Sequence, residues 1–218
     1  GNARLHEKLM KQQSFEQDLK MAERIQQSFL PKQIPQVPGF TFCTRYDPAF
    51  EIGGDFYDFI RLPNNRLAIV VGDVSGKGVA AALYMAKMSR DLRYFALAES
   101  NPGRVLSWMN RAVLESGQDD IFVTLIYTVL ETKTGRIHIA NAGHMPAIVR
   151  EAGAARVRTL DKVAGMPLGV MPDIEYEFET LQLNKGDSIL MYSDGLVEAM
   201  SPDHKMYGME RVQRCMFD

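Results

Sequence analysis

Cysteine is scarce. Cys43 and Cys215 are the two in 218 residues, far apart and in neither a CxxC pair nor a zinc-ligand spacing. That excludes a disulfide scaffold, a thiol redox motif and a structural zinc site, and it fits a reduced, cytoplasmic protein. A basic surplus is also missing: 25 Lys and Arg stand against 27 Asp and Glu, a net charge of −2. The electrostatic footprint of a nucleic-acid binder is therefore absent. An acidic substrate would need a local cation, which a bound metal could supply. Apolar runs stay well below the roughly 20 residues that span a bilayer, and the N-terminus has no apolar signal core. No membrane contact is expected of this segment. What remains is an ordinary globular composition, 46% hydrophobic, enough for one domain with a real core.

Residues 4–30 hold no Gly or Pro and read as one helix. Phe15, Leu19, Ala22, Gln26 and Phe29 recur at heptad-type spacing, with Leu5 and Leu9 out of step. Two readings stay open: a helix lying on its own domain, or a coiled coil that links to an upstream module. Pro31, Pro35 and Pro38 end the helix and make an extended linker. After Gly39 the pattern turns to period two. Strands are expected at Thr41–Tyr46, Phe56–Leu62 and Leu67–Val71, the last two joined by a Pro63-Asn64-Asn65 turn. A helix should follow from Val79 to Ala98. A second should start at Asn101-Pro102, an N-cap with proline at the first helical position, and run to Glu115. Further strands are expected at Phe122–Leu130, Arg136–Ala140, Ile148–Arg150, Arg156–Leu160, Tyr176–Leu183 and Ser188–Tyr192. Short turns between sequential strands imply antiparallel sheets, and two mid-chain helices make the class α+β.

The chemistry gathers at three aspartates beside glycines. Asp55 lies in Glu51-Ile-Gly-Gly-Asp-Phe-Tyr-Asp58, Asp73 in Gly72-Asp-Val-Ser-Gly-Lys-Gly78 and Asp194 in Tyr192-Ser-Asp-Gly195. Each sits where a strand should meet a loop. Ala68–Val71 and Ile189–Tyr192, before Asp73 and Asp194, read as buried strands. Carboxylates at such positions are costly unless a cation offsets them, and oxygen clusters suit Mg²⁺ or Mn²⁺. Metal-assisted chemistry on a phosphate leads the reading. The Gly72–Gly78 loop is not a nucleotide P-loop: Val71 stands where that motif needs glycine, and Gly78 where it needs Ser or Thr. Ser75 and Ser193 sit in no Gly-x-Ser-x-Gly elbow. His144, in Asn141-Ala-Gly-His144, reads first as a turn histidine bonding its own loop, with a catalytic role as the second option. Gly165-Met-Pro-Leu-Gly169 reads equally as a flap or a connector.

Taken in order, Ala22-Glu-Arg-Ile-Gln-Gln-Ser-Phe-Leu-Pro31, Gly53–Asp58, Gly72–Gly78, Phe122-Val-Thr124, Asn141–His144, Tyr192–Gly195 and Tyr207-Gly208 resemble bacterial SpoIIE/RsbU-type serine phosphatases. These belong to the metal-dependent, protein phosphatase 2C-like (PPM) superfamily. The resemblance implies an α-β-β-α sandwich with a Mn²⁺ or Mg²⁺ pair at one end of its sheets. Asp73 would bridge the metals with help from the Val74 carbonyl. Asp194 would ligate one, Asp55 would complete the cluster, and Asp58 is a weaker candidate. Attack on phosphorus by a metal-activated water would follow, with no covalent enzyme intermediate. It further implies a phosphoserine substrate on an anti-anti-sigma (STAS-type) protein, an upstream sensor or receiver module, and a homodimer through the N-terminal helix. Residues 1–30 would be the helical linker and residues 31–218 the phosphatase domain.

Two departures bear on activity. Animal-type relatives place a histidine, proposed as general acid, where this chain has Ser75; water or His144 would have to serve. The family's closing Asp-Asp-Ile-Thr-like strand supplies a further ligand and is not found after Tyr207-Gly208. Asp119-Asp-Ile121 imitates it but comes too early in the chain. The expectation is a domain that stops before its last metal-binding strand, with a non-catalytic docking module as the alternative.

Overall fold

A computed structural model describes residues 2–117 and 120–217, leaving aside the side chains of Asn2, Ala3 and Leu5. The expectations placed on Leu5 and Asp119 lie outside the described residues. The helices are α1 (Asn2–Gln27), α2 (Gly78–Ala98), α3 (Pro102–Leu114), α4 (Asp194–Glu198) and α5 (Met209–Cys215). The strands are β1 (Phe56–Leu62), β2 (Arg66–Val74), β3 (Val123–Glu131), β4 (Arg136–Ala142), β5 (Ile148–Arg150), β6 (Arg158–Thr159), β7 (Ala164–Gly165), β8 (Phe178–Gln182) and β9 (Ser188–Leu190).

Strand β1 and the hairpin follow the sequence closely. Leu62 pairs with Arg66, and the turn between them needs left-handed backbone at Asn64 (φ 61°) and Asn65 (φ 56°). Asparagine tolerates that conformation better than other non-glycine residues. Asn101 caps α3 by accepting from the Arg104 amide at 3.1 Å, with Pro102 at the first helical position. In α2, Met85, Met88 and Leu92 are fully buried, as their spacing requires.

Alternation along the strands builds four layers. Leu125, Tyr127 and Val129 of β3 face α2 and α3, together with Phe56, Ala68 and Val70. Ile126 and Leu130 face the other way, onto Val149 of β5 and Ile189 of β9. On the far side of the small sheet, Ile148 and Tyr192 pack with Val197 and Val212 from α4 and α5. A six-stranded sheet carrying β1-β2-β3-β4 therefore lies between two helices and a three-stranded sheet, β6-β5-β9. This is the α-β-β-α order expected.

Two expectations fail, one holds with an exception, and one open alternative is resolved. Residues 41–46 form no ladder; the segment is held by side chains, Phe42 packing edge-on against Phe59 at 5.5 Å between ring centres. The sheets are mainly antiparallel, as expected, with one exception: β7 pairs parallel with β4. A two-residue strand has no period to read. Ile189, Leu190 and Met191 are only half-buried, since β9 ends the path of its small sheet and is covered incompletely. Finally, Gly165–Gly169 is a connector rather than a flap: Leu168 exchanges both main-chain bonds with Val123 (2.8 and 3.0 Å), and the Gly169 amide donates to Asn110 Oδ1 at 2.8 Å.

Helix α1 stands off from the rest. Of the expected stripe Phe15 is 61% exposed, Leu19 and Ala22 are half-buried and Gln26 is buried, while Met21 and Ile25 beside it are 56% and 53% exposed. Its end is anchored. Gln26 is buried and grips Gly53 twice, donating to its carbonyl and accepting from its amide at 3.2 Å. Leu30 then enters the main core.

Leu92→Ala should test the α2 contact. Removing this fully buried side chain is expected to cost about 2–5 kcal/mol, read as a lower midpoint in urea unfolding.

Candidate functional site

The β1–β2 register sets the site. Phe56 pairs with Gly72, so the next step outward brings Asp55 against Asp73 at the open end of the hairpin. The Val74 amide donates to the Gly54 carbonyl at 3.3 Å, closing the two glycine motifs on each other. Gly54 has no room for a side chain: a Cβ there would collide with the Val74 carbonyl and sit 2.8 Å from Asp73 Oδ1. The glycine is thus required by close approach of backbone and carboxylate.

Neighbouring strands extend this row. Asp73 pairs with Thr124, whose hydroxyl lies 2.8 Å from His144 Nδ1. Asn141 braces the turn that carries the histidine, its side chain accepting from the His144 amide at 2.8 Å and donating to its carbonyl at 3.0 Å. The loop is thus fixed by Asn141, whereas the His144 ring reaches out of it to Thr124 on β3, a departure from the turn-histidine expectation. The opposite sheet delivers the third aspartate. Ser193 precedes α4 and donates to Asp55 Oδ2 at 3.0 Å, which brings Asp194 to the rim, where its side chain is exposed.

The electrostatics are those of crowded acid. Burial, then the charges of Asp55 and Asp194, push the Asp73 carboxyl up to about 7. Burial also raises Asp55, aided by Asp194 and opposed by the Ser193 hydrogen bond. Burial lowers His144 to about 4, so its ring is neutral at neutral pH and has no proton to spare as a general acid. Ser75 is committed to structure, accepting from the Phe122 amide at 2.9 Å.

Asp58 does not join the cluster. It is 1% exposed and points to the helical side of β1, where Arg93 of α2 grips both carboxylate oxygens at 2.6 and 2.8 Å. Three further residues act here without having been read as site residues. Gln26 holds Gly53, the Tyr46 hydroxyl donates to the Asp55 carbonyl at 3.2 Å, and Ser193 orients Asp55. Gln26 stands inside the Ala22–Pro31 motif; nothing in the pattern around Tyr46 marks it.

Asp55, Asp73 and the Val74 carbonyl are hard oxygen donors with an uncompensated charge, which fits a hard divalent cation. Among the described residues no group of three or more His, Cys, Asp or Glu side chains closes to metal-holding geometry. Asp194 acts on the pair through its field rather than by contact.

The family model of stage II sporulation protein E (SpoIIE) matches residues 63–217. The chain belongs to the SpoIIE family. It is 28% identical over 187 residues to phosphoserine phosphatase RsbU of Bacillus subtilis, covering 86% of this chain and 55% of that protein. The chain thus spans little more than half of that relative. The solved RsbU and RsbW domains of Rv1364c from Mycobacterium tuberculosis share 32% identity at a TM-score of 0.61, over 72% of this chain and 42% of theirs. The SiaA-PP2C domain of Pseudomonas aeruginosa superposes with a TM-score of 0.75 over 94% of this chain and 82% of its own, at 19% identity. That last likeness establishes the fold, a PP2C sandwich.

The pKa directions fix how metal-free stability depends on pH. Asp73 binds its proton more tightly folded than unfolded, so stability falls as pH rises toward about 7. His144 acts oppositely, adding stability as pH rises from about 4 to its ordinary value of 6.5. Above that value the loss from the raised carboxyls remains, that of Asp73 foremost. Urea midpoints without metal should therefore drop between pH 6.5 and about 8, and Asp73→Asn should flatten that drop.

Proposed function

We propose that this domain is a metal-dependent protein-serine phosphatase acting on a phosphoserine of a bacterial regulatory protein, a STAS-type anti-anti-sigma partner. One observation carries the reading: Asp55 and Asp73 are forced together with no cation among the described residues to neutralise them. Membership of the SpoIIE family with the phosphoserine phosphatase RsbU supports the substrate class.

Asp55, Asp73 and the Val74 carbonyl would hold Mn²⁺ or Mg²⁺, two ions in the full site, with Asp194 completing the set. Bound there, the metal supplies Lewis acidity toward phosphate oxygens and a more acidic water. The chain's own groups do the rest. Ser193 fixes one oxygen of Asp55, which leaves the other free to turn toward Asp73. Tyr46 holds the main chain of Asp55 from the opposite side. Neutral His144 and engaged Ser75 leave the proton for the departing serine to solvent at the open rim. The exposed position of Asp194 suits a phosphorylated protein surface better than an enclosed metabolite.

A docking module without turnover is the second reading, favoured by the absence of a closed three-ligand set among the described residues. One experiment separates the two. Phosphate release from a phosphoserine protein should require Mn²⁺ or Mg²⁺, stop with EDTA, and fall at least about a hundredfold in Asp73→Asn. Equal rates in wild type and variant would reject the site, and calorimetry without Mn²⁺ uptake would leave docking alone.

The exposed apolar residues of α1, Phe15, Met21 and Ile25 among them, support pairing with a second copy and coupling to an upstream sensor or receiver module. Helices in proteins draw most of their stability from packing, and α1 has little packing against its own domain along its first turns. Sedimentation should show a dimer that Phe15→Glu with Ile25→Glu converts to monomer.

A further inference from the structure

His144 keeps an unexplained atom. The residue is 6% exposed, its Nδ1 is engaged by Thr124, and its Nε2 is buried without a hydrogen-bond partner. A buried nitrogen left unpaired keeps its desolvation penalty, so its direction matters. The Tyr192 carbonyl and the Asp194 carboxylate both lie close enough to act on the ring. Met145, the next residue, packs in the same small core as Tyr192.

The strand register explains why a side chain is used at this place. Ile148 pairs with Leu190 and Val149 with Ile189 in the β5–β9 ladder. Continued outward, the same register sets Pro146 opposite Tyr192 and His144 opposite Asp194. Proline has no N–H to donate, so main-chain bonds from β5 cannot carry the ladder up to the site. The segment from Tyr192 to Asp194 would otherwise hang from the end of a three-residue strand.

We propose that His144 is a positioning residue: Thr124 donates to Nδ1, and the Nε2 proton is aimed at the Tyr192 carbonyl. The imidazole thereby continues the interrupted ladder and sets Asp194 against Asp55 and Asp73. The assignment deepens the reading of the three aspartates as one site and rests on it. It also links the two sheets through side chains in one line, Asp73 beside Thr124, Thr124 to His144, and His144 to the Tyr192–Asp194 turn.

Three measurements on the intact chain test it. Long-range ¹H–¹⁵N correlation of the imidazole should show the Nε2–H tautomer; a proton on Nδ1 would overturn the proposal. In His144→Phe, amide exchange over residues 193–198 should speed up about tenfold, including the Leu196 amide that bonds the Ser193 carbonyl. Exchange in β2 and β3 should stay unchanged. Equal acceleration throughout, or none near Asp194, would reduce the histidine to core filler. His144→Gln places an amide donor near the Nε2 position and should restore both slow exchange and Mn²⁺ affinity, whereas failure of rescue would reject the ring as a donor. The exchange and tautomer measurements need no turnover. A chain that releases no phosphate would sink the phosphatase reading and leave them standing.

Discussion

Two like charges held together against their repulsion organise this molecule. Asp55 and Asp73 meet because the β1–β2 ladder admits one register, in which Phe56 and Gly72 are partners. A one-residue slip would turn Phe56, Ala68 and Val70 out of the main core. Burial of those side chains therefore enforces the carboxylate contact. The main chain tightens it further through Gly54, which is small enough to let the Val74 carbonyl and the Asp73 carboxylate close in. Hydrophobic packing, spread over the whole sandwich, sustains an unfavourable charge arrangement at its edge.

The third carboxylate depends on a different constraint. Asp194 comes from the small sheet, so its distance from Asp55 is set by how the two sheets stack through Ile126, Leu130, Val149 and Ile189. One direct bond crosses at the site itself, from Ser193 to Asp55. A site split between two layers can be loosened by a small shift of one layer against the other. The α1 helix reaches the same place, since Gln26 grips Gly53, two residues before Asp55. Arg93 performs a comparable service for α2 by fixing β1 through Asp58. The two helices thus hold the chain on either side of Asp55, at Gly53 and at Asp58.

What the sequence disclosed depended on how local the cause was. The Asn64-Asn65 turn, the Asn101 cap and the period-two run of β1 are decided within a few residues, and all were legible. The glycine-flanked aspartates were legible too, because acid beside glycine at a strand end is an unusual pattern. Contacts decided across the chain were not. A glutamine on an amphipathic helix does not announce that it will hold Gly53, and nothing local says that Arg93 will claim Asp58. The segment around Phe42 alternates like a strand but finds no ladder partner. In β7 a partner is found by two residues with no pattern at all.

Asp55, just before β1, and Asp58, within it, are three residues apart and carry the same group, yet the chain treats them oppositely. A buried carboxylate persists when a cation and hydrogen bonds satisfy it. Asp58 receives both, a two-pronged arginine and the Phe59 amide at 2.8 Å. Asp55 receives one serine hydroxyl and the company of a second carboxylate. The fold therefore has the means to neutralise an acid at this strand and applies them to Asp58 alone. Structural charge is closed within the molecule. The Asp55–Asp73 charge is left open toward solvent, beside an exposed Asp194, and an open negative charge held rigidly is the condition for recruiting a cation from outside.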